Sequence, residues 1–409
     1  MPGKVDKFMR IAITLGHFSA GGVGTSVRIL ARGFQDAGHY VEILATDGIR
    51  GDDENVTKDP LVLVVLCSEK TRLLKRLSTL FSYLDDFDVV IDNHSLETLL
   101  IQPWLSKQIV RLSVVRTTTE GIIEKARTVS KYLDALVAIS PEVQRLLKMA
   151  AVCCPTVLIP NAIMAVQQGF PRLKPPCRIA YLGRLSDVDK NILLLPKIVR
   201  HLQDRGVSFS LEIAGDGPDR EKLVQQLKQC GVSTQVTLLG SIPRDNVAGF
   251  LNRNAIGLFP SNYEGFGLSV VEAMGAGCVP VASDIPSHRW ILGSDADTLL
   301  VPVDDASAYA DVVISLMECP KQYSQIQERL KSRQAEYFSP QSTIEGYLSL
   351  ITKVQRTRDL ALCNSIGMGT LHDASRAYKS SCWRHWIRLF RGAFASIWML
   401  LVLRRRDAL

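Results

Sequence analysis

Glu264 and Glu272 stand in the segment Pro260-Ser-Asn-Tyr-Glu-Gly-Phe-Gly-Leu-Ser-Val-Val-Glu-Ala-Met-Gly-Ala-Gly277. Gly265 and Gly267 open a turn before a helix expected over 269–276, so the oriented N–H groups of a helix start lie beside the Glu264 carboxylate. Glu272 falls about one turn into that helix. A carboxylate accepts hydrogen bonds from vicinal hydroxyls, and two acids so placed around an anion site suit a sugar and a ribose. A solvated helix face is the plainer reading of Glu272, but its neighbours Val270, Val271, Ala273 and Met274 are apolar.

Two further segments have the same character. Tyr181-Leu-Gly183-Arg184-Leu-Ser-Asp-Val-Asp-Lys190-Asn191 follows an expected strand. An arginine fork and a lysine point charge around a glycine turn can converge on one diphosphate. Two solvated surface cations are the alternative, and the strand-end location favours the site. Gly16-His-Phe-Ser-Ala-Gly21-Gly22-Val-Gly24 lies between the first strand and a helix, where glycines let the backbone approach an anion. It does not match G-x-G-x-x-G, and alone it reads equally as a tight turn.

Positioning these segments requires strands that end at them. Short apolar runs at 11–15, 41–45, 61–66, 88–91, 109–115 and 136–139 read as buried strands, with helices at 25–37 and 142–149 among them. The pattern restarts with strands expected at 178–182, 210–214, 236–239, 255–259, 279–282 and 298–301. Helices are expected between them at 194–204, 220–229, 246–252, 269–276 and 306–317. Continuous apolar strands alternating with helices predict parallel sheets covered on both faces. Gly169, Pro171, Pro175 and Pro176 mark a linker over 164–176. The reading is a first α/β domain over 1–163, a second over 177–356 and an appended tail over 357–409. Two such halves form a cleft between the carboxyl ends of their sheets.

The 409 residues carry a formal charge of +7, but residues 376–409 alone hold eight basic residues against Asp407, so the body nets zero. Polyanion binding by the body is therefore not implied, and no nucleic-acid partner is expected. The nine cysteines show no C-x-x-C pairing and fit a reducing cytosol. The first apolar run is too short for a signal-peptide core. Asp52-Asp53 and Asp85-Asp86 read as solvated loop acids, and no metal site is expected.

In the tail, Trp383, Trp386, Ile387, Phe390, Phe394, Ile397, Trp398 and Leu401 recur at helical spacing, with Arg384, Arg388 and Arg391 flanking them. The unbroken apolar run over 392–403 is too short for a span, which needs about 20 residues. An amphipathic helix lying on an anionic membrane surface fits better than a helix packed on the body or on a protein partner.

The spacing of Glu264 and Glu272 within E-G-F-G-L-S-V-V-E-A-M-G-A-G resembles the signature of retaining glycosyltransferases of family 4. Other fragments agree in order: Gly21-Gly22, Ala138-Ile-Ser140, Ile159-Pro-Asn161-Ala, Gly183-Arg184-Leu with Lys190-Asn191, Gly215-Asp-Gly-Pro218, and Gly240 after a strand. The resemblance covers residues 9–356. It implies a GT-B fold, two Rossmann-like domains whose parallel sheets face a central cleft, here with a C-terminal amphipathic helical tail. By that pattern Arg184 and Lys190 grip the donor diphosphate, Glu264 sits at the donor sugar and Glu272 holds the ribose hydroxyls. Phe266, Gly267, Leu268 and Ser269 line the sugar and phosphates, Ile242 lies near the base, and Gly21, Gly22, Gly183 and Gly215 complete the substrate walls. One departure stands out. Arg116 occupies the slot where the family often has a histidine facing the donor sugar, and His94 is the possible substitute.

The resemblance implies transfer of a hexose-like sugar from a UDP- or GDP-linked donor to a glycan or lipid-linked acceptor, in cell-surface polysaccharide or lipopolysaccharide synthesis. No cofactor or metal is implied, and the enzyme is expected in the cytoplasm, peripheral on the membrane's inner face. A GT-B sugar-nucleotide epimerase and a catalytically silent sugar-nucleotide-binding recruitment protein are the rival readings.

Overall fold

The computed structural model describes residues 8–18, 21–46, 62–65, 73–164 and 177–366, with side chains except at 62–65 and 360–366. Residues 165–176 of the expected linker, the Asp52-Asp53 pair and the basic tail over 376–409 lie outside the described residues.

The first sheet is built from β1 (Arg10–Leu15), β2 (Tyr40–Ala45), β3 (Val62–Val65), β4 (Val89–Asn93), β5 (Val110–Val115), β6 (Ala135–Ala138) and β7 (Thr156–Leu158). All seven run parallel in the order β3-β2-β1-β4-β5-β6-β7. The second sheet contains β8 (Cys177–Leu182), β9 (Phe209–Ala214), β10 (Val236–Gly240), β11 (Ile256–Phe259), β12 (Val279–Ser283) and β13 (Leu300–Val301). Its order is β10-β9-β8-β11-β12-β13, again parallel. A parallel ladder needs crossovers, and the helices that make them cover both faces, so the central strands are mainly apolar. Ile11, Ile13, Ile91 and Leu112 in the first sheet and Ile179, Leu211, Ile256 and Val281 in the second are fully buried.

In each sheet the winding reverses beside the first strand, between β1 and β4 and between β8 and β11. The loops leaving those four strands diverge and open a crevice at their carboxyl ends. The glycine loop leaves β1, the His94 loop leaves β4, the Arg184 loop leaves β8 and the Glu264 loop leaves β11.

Three details differ from expectation. β7, only three residues long and half-buried, has no apolar run to announce it. The strand expected from residue 298 starts at Leu300, because Ala296–Leu299 forms a helical turn whose preceding residue, Asp295, is ion-paired to Arg329. The closing helix Pro340–Ile366 does not stop at residue 356. It returns to the first domain, where Ile344 packs over Gly33 and Tyr347 meets Phe34 edge to face at 5.9 Å. Arg358 donates to the carbonyls of Gln108 and Ile109, each at 3.0 Å, and pairs with Asp134.

Candidate active site

Between the two sheets lies a cleft of about 550 Å³, and every expected site residue except His94 lines it. The second domain supplies most of the charge. β8 leads into Gly183, and the Tyr181 hydroxyl donates to the Arg184 carbonyl at 2.9 Å, fixing the turn that carries the Arg184 side chain. Gly215 crosses so close that a Cβ there would lie 1.8 Å from the Gly183 carbonyl oxygen. The short helix Asp187–Lys190 ends at Asn191, held left-handed at φ 49° with its amide on Asp304 at 2.6 Å. This aims Lys190 across the crevice at Glu264, with which it forms a half-buried ion pair, and Ser261 donates to the same carboxylate oxygen at 3.0 Å.

Past Glu264 the chain turns at Gly267, whose φ of 108° excludes other residues, and enters the helix Leu268–Ala276. Gly267, Leu268 and Ser269 at its start line the cleft, and a helix start supplies free N–H groups that suit an anion. Within this otherwise apolar helix Glu272 is only 6% exposed and pairs with Arg244. Burial pushes its carboxyl up, and Arg244 opposes that shift. Glu272 therefore faces the cleft as a held acceptor rather than a solvated acid.

The first domain contributes the opposite wall. Gly21 and Gly22 begin the helix Gly22–Asp36, and Arg116 follows β5. The Arg116 guanidinium is gripped by neutral amides: its Nε and Nη2 donate to Asn93 Oδ1 at 2.9 and 2.7 Å, and its Nη1 to Asn161 Oδ1. Burial lowers its pKa.

His94 stands behind this residue. Asp92, fully buried, accepts from the backbone N–H groups of His94 and Ser95 at 3.1 and 3.0 Å, which holds His94 at φ 60°. The imidazole Nε2 then accepts the Arg116 backbone N–H at 3.3 Å. His94 thus positions the Arg116 backbone without reaching the cleft.

Burial, with the Arg116 and Lys125 cations, lowers the His94 pKa from 6.5 to about 4. A depressed histidine pKa contributes stability that is present above pH 6.5 and lost as pH falls through about 4. Burial pushes Asp92 up to about 7, which acts in the opposite sense over the same window. His94→Gln should therefore remove up to about 3 kcal/mol of acid-induced destabilisation between these limits. Urea midpoints taken from pH 7 to 4.5 check this, and parallel curves for variant and wild type would contradict it.

The walls touch at two glycines. A Cβ on Gly265 would lie 2.3 Å from the Arg116 carbonyl oxygen, and one on Gly22 would lie 2.8 Å from Leu268 Cδ1. The structure is closed. The sequence reading missed Arg244, the partner of Glu272, although it directly follows the Ile242-Pro243 segment. The tethering roles of Asn93 and Asn161 rest on pairings across the fold, and that of Ser261 on a bond within its own loop. Among the described residues no group of three or more His, Cys, Asp or Glu side chains is arranged to hold a metal.

Residues 20–165 match the family model described as Glycosyltransferase Family 4, and residues 168–333 match that described as Glycosyl transferases group 1. The chain belongs to glycosyltransferase family 4. This glycosyltransferase is 26% identical over 323 residues to the phosphatidyl-myo-inositol mannosyltransferase of Mycolicibacterium smegmatis, covering 73% of this chain and 81% of that one. It is 24% identical over 172 residues to the 2-deoxystreptamine N-acetyl-D-glucosaminyltransferase of Niallia circulans, 42% of this chain and 44% of that protein. The match to the latter thus spans under half its length. The HepE protein of Anabaena, solved in complex with UDP and glucose, shares the fold with a TM-score of 0.71 at 14% identity, over 84% of this chain and 100% of that one. The fold of this glycosyltransferase is GT-B.

Proposed function

We propose that this glycosyltransferase is a retaining, metal-independent hexosyltransferase that draws on a UDP- or GDP-linked sugar. The observation that carries the reading is one cleft lined by Arg184, Lys190, the start of the helix Leu268–Ala276 and the Glu264 and Glu272 carboxylates, with Lys190 paired to Glu264. Fixed cations and backbone N–H groups there stabilise the charge that develops on a departing nucleoside diphosphate, the part a bound Mg²⁺ plays elsewhere. Glu264, oriented by Lys190 and Ser261, holds sugar hydroxyls, and Glu272 holds the ribose. The acceptor hydroxyl attacks from the face the leaving group vacates, and a donor phosphate oxygen takes its proton. The anomeric configuration is then kept.

A donor at 100 times its Kd should stabilise the folded chain by about 2.7 kcal/mol. Melting curves across a panel of UDP- and GDP-sugars read this out, and a panel with no shift would overturn the assignment. NMR of the product should show the donor's anomeric configuration; inversion would contradict the mechanism.

The acceptor side rests on the sequence of the tail, and the reading is a glycan or lipid-linked acceptor at the cytoplasmic membrane face, in cell-surface polysaccharide or lipopolysaccharide synthesis. Among the described residues no helix is long and apolar enough to cross a membrane. Deleting residues 376–409 should release the protein from anionic vesicles in a sedimentation assay. Equal co-sedimentation of the full and shortened chains would refute membrane anchoring by this segment.

A further inference from the structure

Most charges lining the cleft are paired, and Arg116 is the one charged lining residue on the first-domain wall. Lys190 is matched by Glu264 and Arg244 by Glu272. Asp216 is engaged in its own turn, accepting the Gly217 N–H at 2.8 Å. Arg184 and Arg116 remain, and no described carboxylate pairs with either. Arg184 lines the second-domain wall, to which the donor reading above assigns the diphosphate. Arg116 projects from the opposite wall, its backbone against Gly265, next to Glu264 and the sugar end of the cleft.

We infer that Arg116 is the receptor for a carboxylate on the donor sugar, so that the preferred donor is a nucleotide-linked uronic acid; this rests on the donor-binding reading proposed above. A guanidinium has five N–H donors in a fixed plane. Three are taken by the amides of Asn93 and Asn161, which leaves one on each terminal nitrogen. Two N–H bonds on adjacent nitrogens match the two oxygens of a carboxylate. The tethers are neutral, so they orient the cation without cancelling its charge. Two other half-buried arginines of this chain carry carboxylates, Arg76 with Glu97 and Arg358 with Asp134. A sugar hydroxyl at Arg116 would leave a half-buried cation uncompensated, whereas a carboxylate completes it.

The test uses the full chain and calorimetric titration with UDP, UDP-glucose, UDP-glucuronate and UDP-galacturonate, and with GDP, GDP-mannose and GDP-mannuronate. At least one uronate donor should bind about 10- to 100-fold more tightly than its neutral counterpart, the range of a charge-assisted hydrogen-bond pair. Arg116→Gln should erase that preference while the bare nucleotide and the neutral donor keep their affinity. Arg116→Lys, which keeps the charge but loses the fork, should retain part of it. If Arg116→Gln weakens UDP or GDP as much as it weakens the uronate donors, the guanidinium serves the diphosphate and the inference falls. Should the variants fail to fold, the wild-type ratio decides. Nucleotides that bind without any uronate preference overturn this inference alone, and a chain that binds neither nucleotide overturns the donor reading as well.

Discussion

Lys190→Ala should lower kcat about 10³-fold, the cost expected when one preorganised charge is taken from a site where negative charge develops. Two effects act together. The leaving diphosphate loses a cation, and Glu264 is left without its ion-pair partner in a half-buried place beside an anionic substrate. Removing one member of such a pair costs more than the pair itself contributes. Lys190→Met combined with Glu264→Gln separates the two, because it removes the stranded charge. The double variant should regain part of the donor affinity lost in the single one, with kcat still depressed. Initial rates at saturating acceptor measure both constants. A single variant keeping more than about a tenth of wild-type kcat would overturn the assignment of Lys190 to the leaving group.

Gly265→Ala is the second large expectation, and it acts on closure rather than chemistry. The added methyl would lie 2.3 Å from the Arg116 carbonyl oxygen and 3.0 Å from Thr117 Cα, both backbone atoms of the other domain. Gly265 does not have a left-handed φ, so alanine suits the local backbone and each domain should fold normally. What is lost is the approach of the two walls. A misplacement of about 1 Å between reacting groups can cost 10²-fold, and kcat/KM should fall at least that far. Small-angle scattering with donor present should show a larger radius of gyration than for wild type. Gly249→Ala, whose Cβ meets nothing within 4 Å, is the matched control and should leave turnover unchanged. Normal turnover by Gly265→Ala would show that the closed arrangement is not the working one.

The chemistry-bearing loops were legible because a buried parallel strand writes a continuous apolar run, and the residue that ends the run marks the crevice. Ile11 to Leu15 leads to the Gly21–Gly22 loop, and Ile256 to Phe259 leads to Glu264. Pairings between distant residues left no such trace. Arg244 and Glu272 belong to different helices, and Asn161 reaches Arg116 from 45 residues away. The return of the closing helix is equally silent, since Tyr347 and Phe34 read locally as ordinary apolar helix positions. His94 was noticed as a cleft candidate, but its left-handed backbone turns it to the Arg116 N–H, a geometry that Asp92 imposes through backbone bonds.

The chain leaves the first domain after Ile163 and comes back to it beyond Phe338, and these two points are joined. The Ile163 N–H donates to the Phe338 carbonyl at 2.8 Å, and the Gln334 amide donates to the Ile163 carbonyl at 3.1 Å. Two crossings fastened side by side act as a door hung on one pin: the low-energy motion between the leaves is a swing about a single axis. The gaps at Gly265 and at Gly22 then widen and narrow together, in a ratio set by their distances from that axis. Capture of the donor and alignment of the acceptor are two readings of one angle.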